Sequence, residues 1–292
     1  MVTVGSILGG TFGFARDNLR VIAIWSVLTF LLSLLSMVGM QPFYAAQAAA
    51  LESGTPVTPN FGVLGITLLV SIIFFTVLLA AMFRAVLFPS ESRFAYLRIG
   101  MDELRLFGTM MVILVGVYLL FIILGVILTI AGLMLTRLSG ASGSVALVLG
   151  AGLFALMVWL TVRLSLAGPL TILERKIVIG PAWRLSRGAF WRLFLAYLAI
   201  AVILMVSYAV IIAVQMGPVL GDMFRPLDPA AHQRVVAWQA ANYGFSARSL
   251  MVALVGGILG GIVFALQAGM LGVATAQLLN RGGQEHLNTV FE

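Results

Sequence analysis

Five arginines set the chemical question. Arg84 and Arg163 each close a long apolar run. Arg184, Arg187 and Arg192 lie in the passage GPAWRLSRGAFWRLF, Gly180 to Phe194, among Trp183, Phe190, Trp191 and Phe194. A guanidinium stays charged and offers a planar fork of donors, so the chemistry open to these residues is the binding of anions, headgroup phosphates foremost. Arg84 and Arg163 have three other readings: lining a pathway, snorkelling to the interface, or donating to free carbonyls near helix breaks. On a helix at 100° per residue, Trp183, Phe190, Phe194 and Tyr197 fall within roughly 60° of one another, with the three arginines on a neighbouring arc. A basic, aromatic, amphipathic helix feeding directly into a hydrophobic run belongs at a cytoplasmic membrane interface.

Catalytic constellations are absent from the pattern. His232 and His286 fall on opposite sides of the expected membrane and cannot share a metal. No carboxylate pair lies inside an apolar run, no zinc-ligand spacing occurs, and no serine has a histidine partner on its own side. The chain has no cysteine, which excludes disulfides, thiolate metal sites and a cysteine nucleophile. Gly150-Ala-Gly152 sits within apolar helix and reads as packing, not as a phosphate loop. The expectation is a non-enzymatic protein with no cofactor and no metal. A transporter would show acids or broken helices at mid-span. Here the spans hold scattered Ser, Thr and Gln, with Gln215 and Gln267 the most notable.

The elements that position these arginines are membrane spans. The 292 residues are 62% hydrophobic and 9% charged, with a mean hydropathy of +1.13. A soluble domain carries about 25% charged residues, so lipid is the solvent. The net charge of +7 belongs to residues flanking apolar runs and does not suggest nucleic acid. Six stretches lack charge and are long enough to cross: Val21–Met40, Phe61–Phe83, Leu106–Thr136, Leu138–Val162, Leu193–Gly221 and Ser249–Asn280. About 20 helical residues span a bilayer core. The third and sixth exceed that length and should tilt or project. The first exceeds a signal-peptide core and is expected to be retained.

Residues 4–18 read as an interfacial helix. Pro42 to Glu52 suggests a short alanine-rich helix in the first outer loop, bounded by Gly54 and Pro56. The short loop from Thr136 to Gly143 forces an antiparallel hairpin. Asp228-Pro229 opens a helix to about Ala241, whose Val235, Val236 and Trp238, followed by Tyr243, would rest on the far interface. With the N-terminus inside, thirteen basic residues face the cytoplasm and Arg137, Arg225, Arg234 and Arg248 face outward. Both termini are then cytoplasmic. Arg98, Asp102 and Arg105 read as a surface charge pair on a helix, and Glu174 to Lys176 as a solvated connection. Gly256, Gly257, Gly260 and Gly261 form small-xxx-small pairs for close packing, internal or between protomers.

Aligning Arg20, Arg105 and Arg192 brings DNLRVI, DELRLF and AFWRLF into register, 85 and 87 residues apart. Each passage precedes a span, an outer loop and a returning span. This predicts three parallel copies of one unit, each led by an amphipathic interfacial helix. The passages FAYLRIGMDELRLF, VRLSLAGPLTILER and AWRLSRGAFWRLF carry a further likeness. Over nearly its full length the chain resembles a family of uncharacterised bacterial six-helix inner-membrane proteins, similar to the membrane domain of glycerophosphoryl diester phosphodiesterases without the catalytic domain. That resemblance implies a multi-pass helical fold and no hydrolase activity.

The sequence reading is therefore an all-α polytopic protein, a single membrane domain over 1–292. Its repeat units cover about 4–88, 89–170 and 171–281, and 282–292 forms a cytoplasmic tail. The expected partners are anionic lipid headgroups at Arg84, Arg163, Arg184, Arg187 and Arg192, and a second copy or another membrane protein at the glycines. The expected role is lipid-engaging and structural in the bacterial inner membrane, the alternative a transporter or channel for a lipid or other amphiphile.

Overall fold

The computed structural model describes residues 2–53, 61–91, 93–139, 142–225, 228–242 and 246–291. All regular structure among them is helical. The helices are α1 (Val4–Asp17), α2 (Leu19–Ser53), α3 (Phe61–Leu87), α4 (Met101–Ser139), α5 (Ser142–Leu164), α6 (Ala167–Glu174), α7 (Gly180–Arg187), α8 (Phe190–Met216), α9 (Leu220–Met223), α10 (Pro229–Asn242) and α11 (Ala247–Phe291). Among the described residues six segments are long and apolar enough to cross a membrane: Leu19–Phe43, Gly62–Leu87, Arg93–Met134, Leu147–Glu174, Phe190–Met223 and Ala247–Asn280. Each overlaps one of the six uncharged stretches, the third and fourth running past them to take in charged residues such as Arg98 and Arg163, because an apolar helix both spans lipid and satisfies its own backbone.

Two compact units gather non-contiguous segments. The first comprises residues 1–10, 83–197 and 270–292. In it, α4 and α5 pack together, with Gly132 leaving room for Leu149 and Val145. Helix α6 lies on α4, where the buried Thr109 and Thr171 hydroxyls meet at 3.0 Å. Gly168 admits Phe83, whose ring would lie 2.8 Å from an added Cβ. Ile7, Phe83, Leu106, Leu166, Leu170, Ile172, Leu193 and Met270 are fully buried. The start of α1 is tied to α11 by a pair of hydrogen bonds: Ser6 donates to Gln277 Oε1 at 3.0 Å, and Gln277 Nε2 donates to the Ser6 carbonyl at 3.0 Å.

The second unit comprises residues 11–82 and 198–269. Its α2 and α11 approach backbone to backbone at Gly257 and Gly261. There an added Cβ would lie 2.6 Å from Phe30 Cα and 2.6 Å from Ser26 Cα respectively. Phe75 meets Phe264 edge to face, centroids 4.6 Å apart. Helix α10 packs on α2 with Ala231 and Val236 buried. Arg234 grips Asp222 in a fork, at 2.9 Å through Nε and 2.6 Å through Nη2. Arg248 donates to the Val214 carbonyl at 2.8 Å, and its guanidinium lies 5.4 Å from the Trp238 ring.

Helix starts follow local chemistry. Thr3 with Ser6, and Ser246 with Ser249, exchange reciprocal side-chain-to-backbone bonds at the starts of α1 and α11. Asp228 accepts from Ala230 N–H at 3.0 Å and caps α10 ahead of Pro229, as the sequence indicated. Replacing Asp228 with alanine is expected to cost α10 about 1 kcal/mol, speeding amide exchange in its first turn about five-fold. Exchange unchanged by mass spectrometry would show that packing on α2 alone sets that end.

Two expectations are corrected by the structure. The alanine-rich segment after Pro42 is no separate helix but the continuation of α2, which keeps Pro42 inside it. Alanine's strong helix preference carries the helix past the one hydrogen bond that proline cannot make. The second copy of the proposed repeat has no interfacial helix among the described residues. Arg93–Tyr96 instead forms a single tight turn with left-handed backbone. Helix α11 runs on to Phe291. Gly54, Pro56 and Tyr243 lie outside the described residues, as do the side chains of Arg137, Arg281 and His286.

Candidate functional site: an aromatic box around Arg163

The end of α5 builds the most chemically unusual environment in the first unit. Arg163 lies in the last turn of α5, with Trp159 one turn earlier on the same face. The chain breaks at Ser165, re-forms as α6, and ends that helix with Arg175 in left-handed conformation (φ 52°). This reversal carries α7 back against α5. Ser186 is buried and its hydroxyl donates to the Arg163 carbonyl at 2.9 Å, locking α7 to the end of α5. The lock places Trp183 edge to face with Trp159, centroids 5.1 Å apart and planes at 88°. The start of α8 supplies Phe190.

The Arg163 guanidinium therefore stands 5.5 Å from the Trp159 ring, 5.6 Å from Trp183 and 6.0 Å from Phe190. Each ring face presents negative quadrupole density to the cation. Nε and Nη1 of Arg163 are buried without a hydrogen-bond partner. An unpaired buried donor is costly, and one on a cation more so.

Arg184 and Arg187 project from α7 and are exposed, while Arg192 is half-buried. Trp191 is 70% exposed and joins Phe190 and Phe194 in a ladder of rings, at 5.3 and 5.8 Å. The passage singled out in the sequence thus splits in two at Gly188. Its first half forms one wall of the Arg163 box, and its second half begins a span.

Arg84 has a different setting. It lies in the last turns of α3, only 3% exposed, with Nη2 at 2.6 Å from Glu103 Oε1 and 3.5 Å from Asp102 Oδ2. The shorter approach is an ion pair without hydrogen-bond geometry at Oε1. Nη1 donates to the Tyr96 carbonyl at 3.3 Å. Glu103 also accepts from Gly100 N–H at 2.9 Å, the back-reaching half of a capping box for α4. Phe94, Ala95 and Tyr96, all with φ between 51° and 63°, form the left-handed turn that this network holds. The expected surface pair among Arg98, Asp102 and Arg105 is divided: Arg98 binds Glu91 at 2.8 Å, and Arg105 binds Asp102 at 3.1 Å. Glu103 was missed in the sequence.

Among the glycines, Gly257 and Gly261 face α2, and Gly260 lies against Thr29 at 3.1 Å for an added Cβ. Gly256 has open space. Along α4, Leu114, Val115, Leu119, Ile122, Ile123, Ile127 and Ile130 are between 45% and 58% exposed. A shallow groove of about 410 Å³ there is lined by apolar residues and Thr129. Soluble monomers rarely expose so continuous an apolar surface. The six apolar helices define a multi-pass helical membrane protein. No protein-family model, curated protein or solved structure matches the chain.

Proposed function

We propose that this is a non-enzymatic, lipid-engaging structural protein of the bacterial inner membrane, oriented with both termini in the cytoplasm. The reading is carried by one observation: Arg184, Arg187 and Arg192, which no carboxylate pairs among the described residues, flank the exposed Trp191 in the sequence at the entry to a span. Tryptophan favours headgroup depth, and basic side chains beside an anionic surface are each worth about 1 kcal/mol. The motif likeness to the membrane domain of the phosphodiesterases, and the excess of arginine on one side, support the same placement. In this reading the α7–α8 elbow gathers anionic lipid and fixes the depth of the protein.

The test is the lipid shell of the full chain reconstituted in mixed phosphatidylglycerol and phosphatidylcholine bilayers. Spin-labelled phosphatidylglycerol is expected to associate preferentially, and the preference should weaken as salt is raised. The triple variant R184Q/R187Q/R192Q is expected to lose the preference several-fold while remaining folded. A preference undiminished in that variant would refute the reading.

A further inference from the structure

Among the described residues, none supplies Arg163 with a counter-charge. In the first unit every described carboxylate is engaged elsewhere: Asp102 and Glu103 by Arg84, Asp102 also by Arg105, Glu91 by Arg98, and Glu174 by Lys176. From position 163 to position 192 the sequence holds six basic residues and one acid. The aromatic walls offset part of the desolvation of the guanidinium, at about 2 kcal/mol for a well-desolvated contact, but they neutralise no charge. Nε and Nη1 are buried while Arg163 as a whole is half-buried, which leaves Nη2 as the nitrogen that reaches the surface. A planar, weakly hydrated cation with one open edge, held at the end of α5 among tryptophans, has the chemistry that suits a lipid phosphate.

We propose that the Arg163 box is a discrete site for one phosphate-type oxyanion, brought by an anionic lipid headgroup or by free phosphate. The inference rests on the lipid-engaging reading and sharpens it. The exposed arginines of α7 attract anionic surface collectively, whereas Arg163 holds one anion at a fixed place. The rings serve two ends: they hold the guanidinium in a single orientation, and they exclude water from its inner edge, which strengthens its pull at the outer edge. Ser186 takes no part in binding, because its hydroxyl is committed to the Arg163 and Trp183 carbonyls.

The experiment is native mass spectrometry of the full chain in detergent, titrated separately with phosphatidylglycerol, phosphatidylcholine and inorganic phosphate. The wild-type chain is expected to bind phosphatidylglycerol or phosphate saturably at one per chain. Arg163→Gln should weaken that binding at least ten-fold. Arg163→Lys should fall between, because an ammonium keeps the charge but not the planar group that the rings hold in one orientation. The triple variant R184Q/R187Q/R192Q should keep the single bound anion while losing the salt-sensitive lipid preference. Phosphate that competes with phosphatidylglycerol identifies the free anion as a ligand, and lipid binding without phosphate binding identifies the headgroup.

Equal affinity in wild type and Arg163→Gln overturns the site, as does the absence of a saturable anion of either kind. Should Arg163→Gln fail to fold, Arg163→Lys and Trp183→Leu carry the test, and unchanged affinity in both overturns it. A triple variant that retains its lipid preference while Arg163→Gln loses the single anion would refute the surface reading and leave the site standing.

Discussion

Replacing Glu103 with glutamine is expected to lower the thermal unfolding midpoint of the purified protein on the order of 10 °C, corresponding to about 3–5 kcal/mol. The cause is the buried Arg84. With Glu103 ionised, its positive charge has a partner at 2.6 Å. With glutamine there, the nearest carboxylate is Asp102 at 3.5 Å, which is more exposed and already shared with Arg105. The cost is compounded by the turn below. Three consecutive left-handed residues carry roughly 1–2 kcal/mol of backbone strain each, and the Tyr96 carbonyl is held by the same arginine. The Tyr96 hydroxyl adds one bond to the Pro89 carbonyl at 3.0 Å, which the variant retains.

The comparison that isolates the effect is Arg98→Gln, which breaks the exposed pair with Glu91 and should cost under about 1 kcal/mol. The double change Arg84→Met with Glu103→Met should recover part of the loss, because an apolar pair leaves no uncompensated charge behind. Circular dichroism on heating, in one detergent for all variants, reads all three. If Glu103→Gln and Arg98→Gln moved the midpoint equally, the buried pair would not be what holds the junction of α3 and α4.

The reach of the sequence can be judged from the same residues. The spans were legible because uncharged runs of sufficient length leave a chain no alternative in lipid. The cap of α10 was legible because Asp228-Pro229 is a local signal, complete within three residues. Glu103 was not, because its partner lies on another helix across a turn that no propensity predicts. The spacing of Arg98, Asp102 and Arg105 suggested pairing along one helix, where i to i+3 and i+4 neighbours ordinarily meet. A usable signal was present: an arginine closing one span and an acid opening the next, with a short connection between them.

The Arg163 box was half visible. Trp159 stands four residues before Arg163 and so shares its face, and Trp183 was already conspicuous in the elbow. What joins them is the reversal at Ser165 to Arg175, set by tertiary packing around the buried Leu166, Leu170 and Ile172. The three-copy alignment shows the opposite lesson. DELRLF matches DNLRVI closely, yet the residues before it turn left-handed where those before DNLRVI form a helix. A motif at a helix start specifies that start and says little about what precedes it.

The second large effect belongs to the glycines of α11. Gly261→Leu is expected to abolish the packing of α2 on α11, with the variant recovered mainly as aggregate or as a chain sensitive to protease in detergent. A leucine there brings its Cβ to 2.6 Å from Ser26 Cα and 2.8 Å from Ser26 N, and backbone cannot yield as a side chain can. It also displaces the Ser26 hydroxyl from the Ile258 carbonyl, a bond of 3.4 Å. Gly257→Leu meets Phe30 in the same way, at 2.6 Å from Cα and 2.8 Å from N. Overpacking of a well-filled contact typically costs about 1–3 kcal/mol, and more where main chain must move.

Gly256→Leu is the control, since nothing lies within 4 Å of its added Cβ. It should leave the fold intact, and α11 should gain slightly from losing a flexible residue. The pair of outcomes separates the two uses of a small-residue stripe in a membrane helix. Loss of folding at 257 and 261 with tolerance at 256 assigns the stripe to packing within one chain. If Gly256→Leu instead left the chain folded but shifted its elution from an oligomer toward a monomer, the open face of α11 would be a contact between copies.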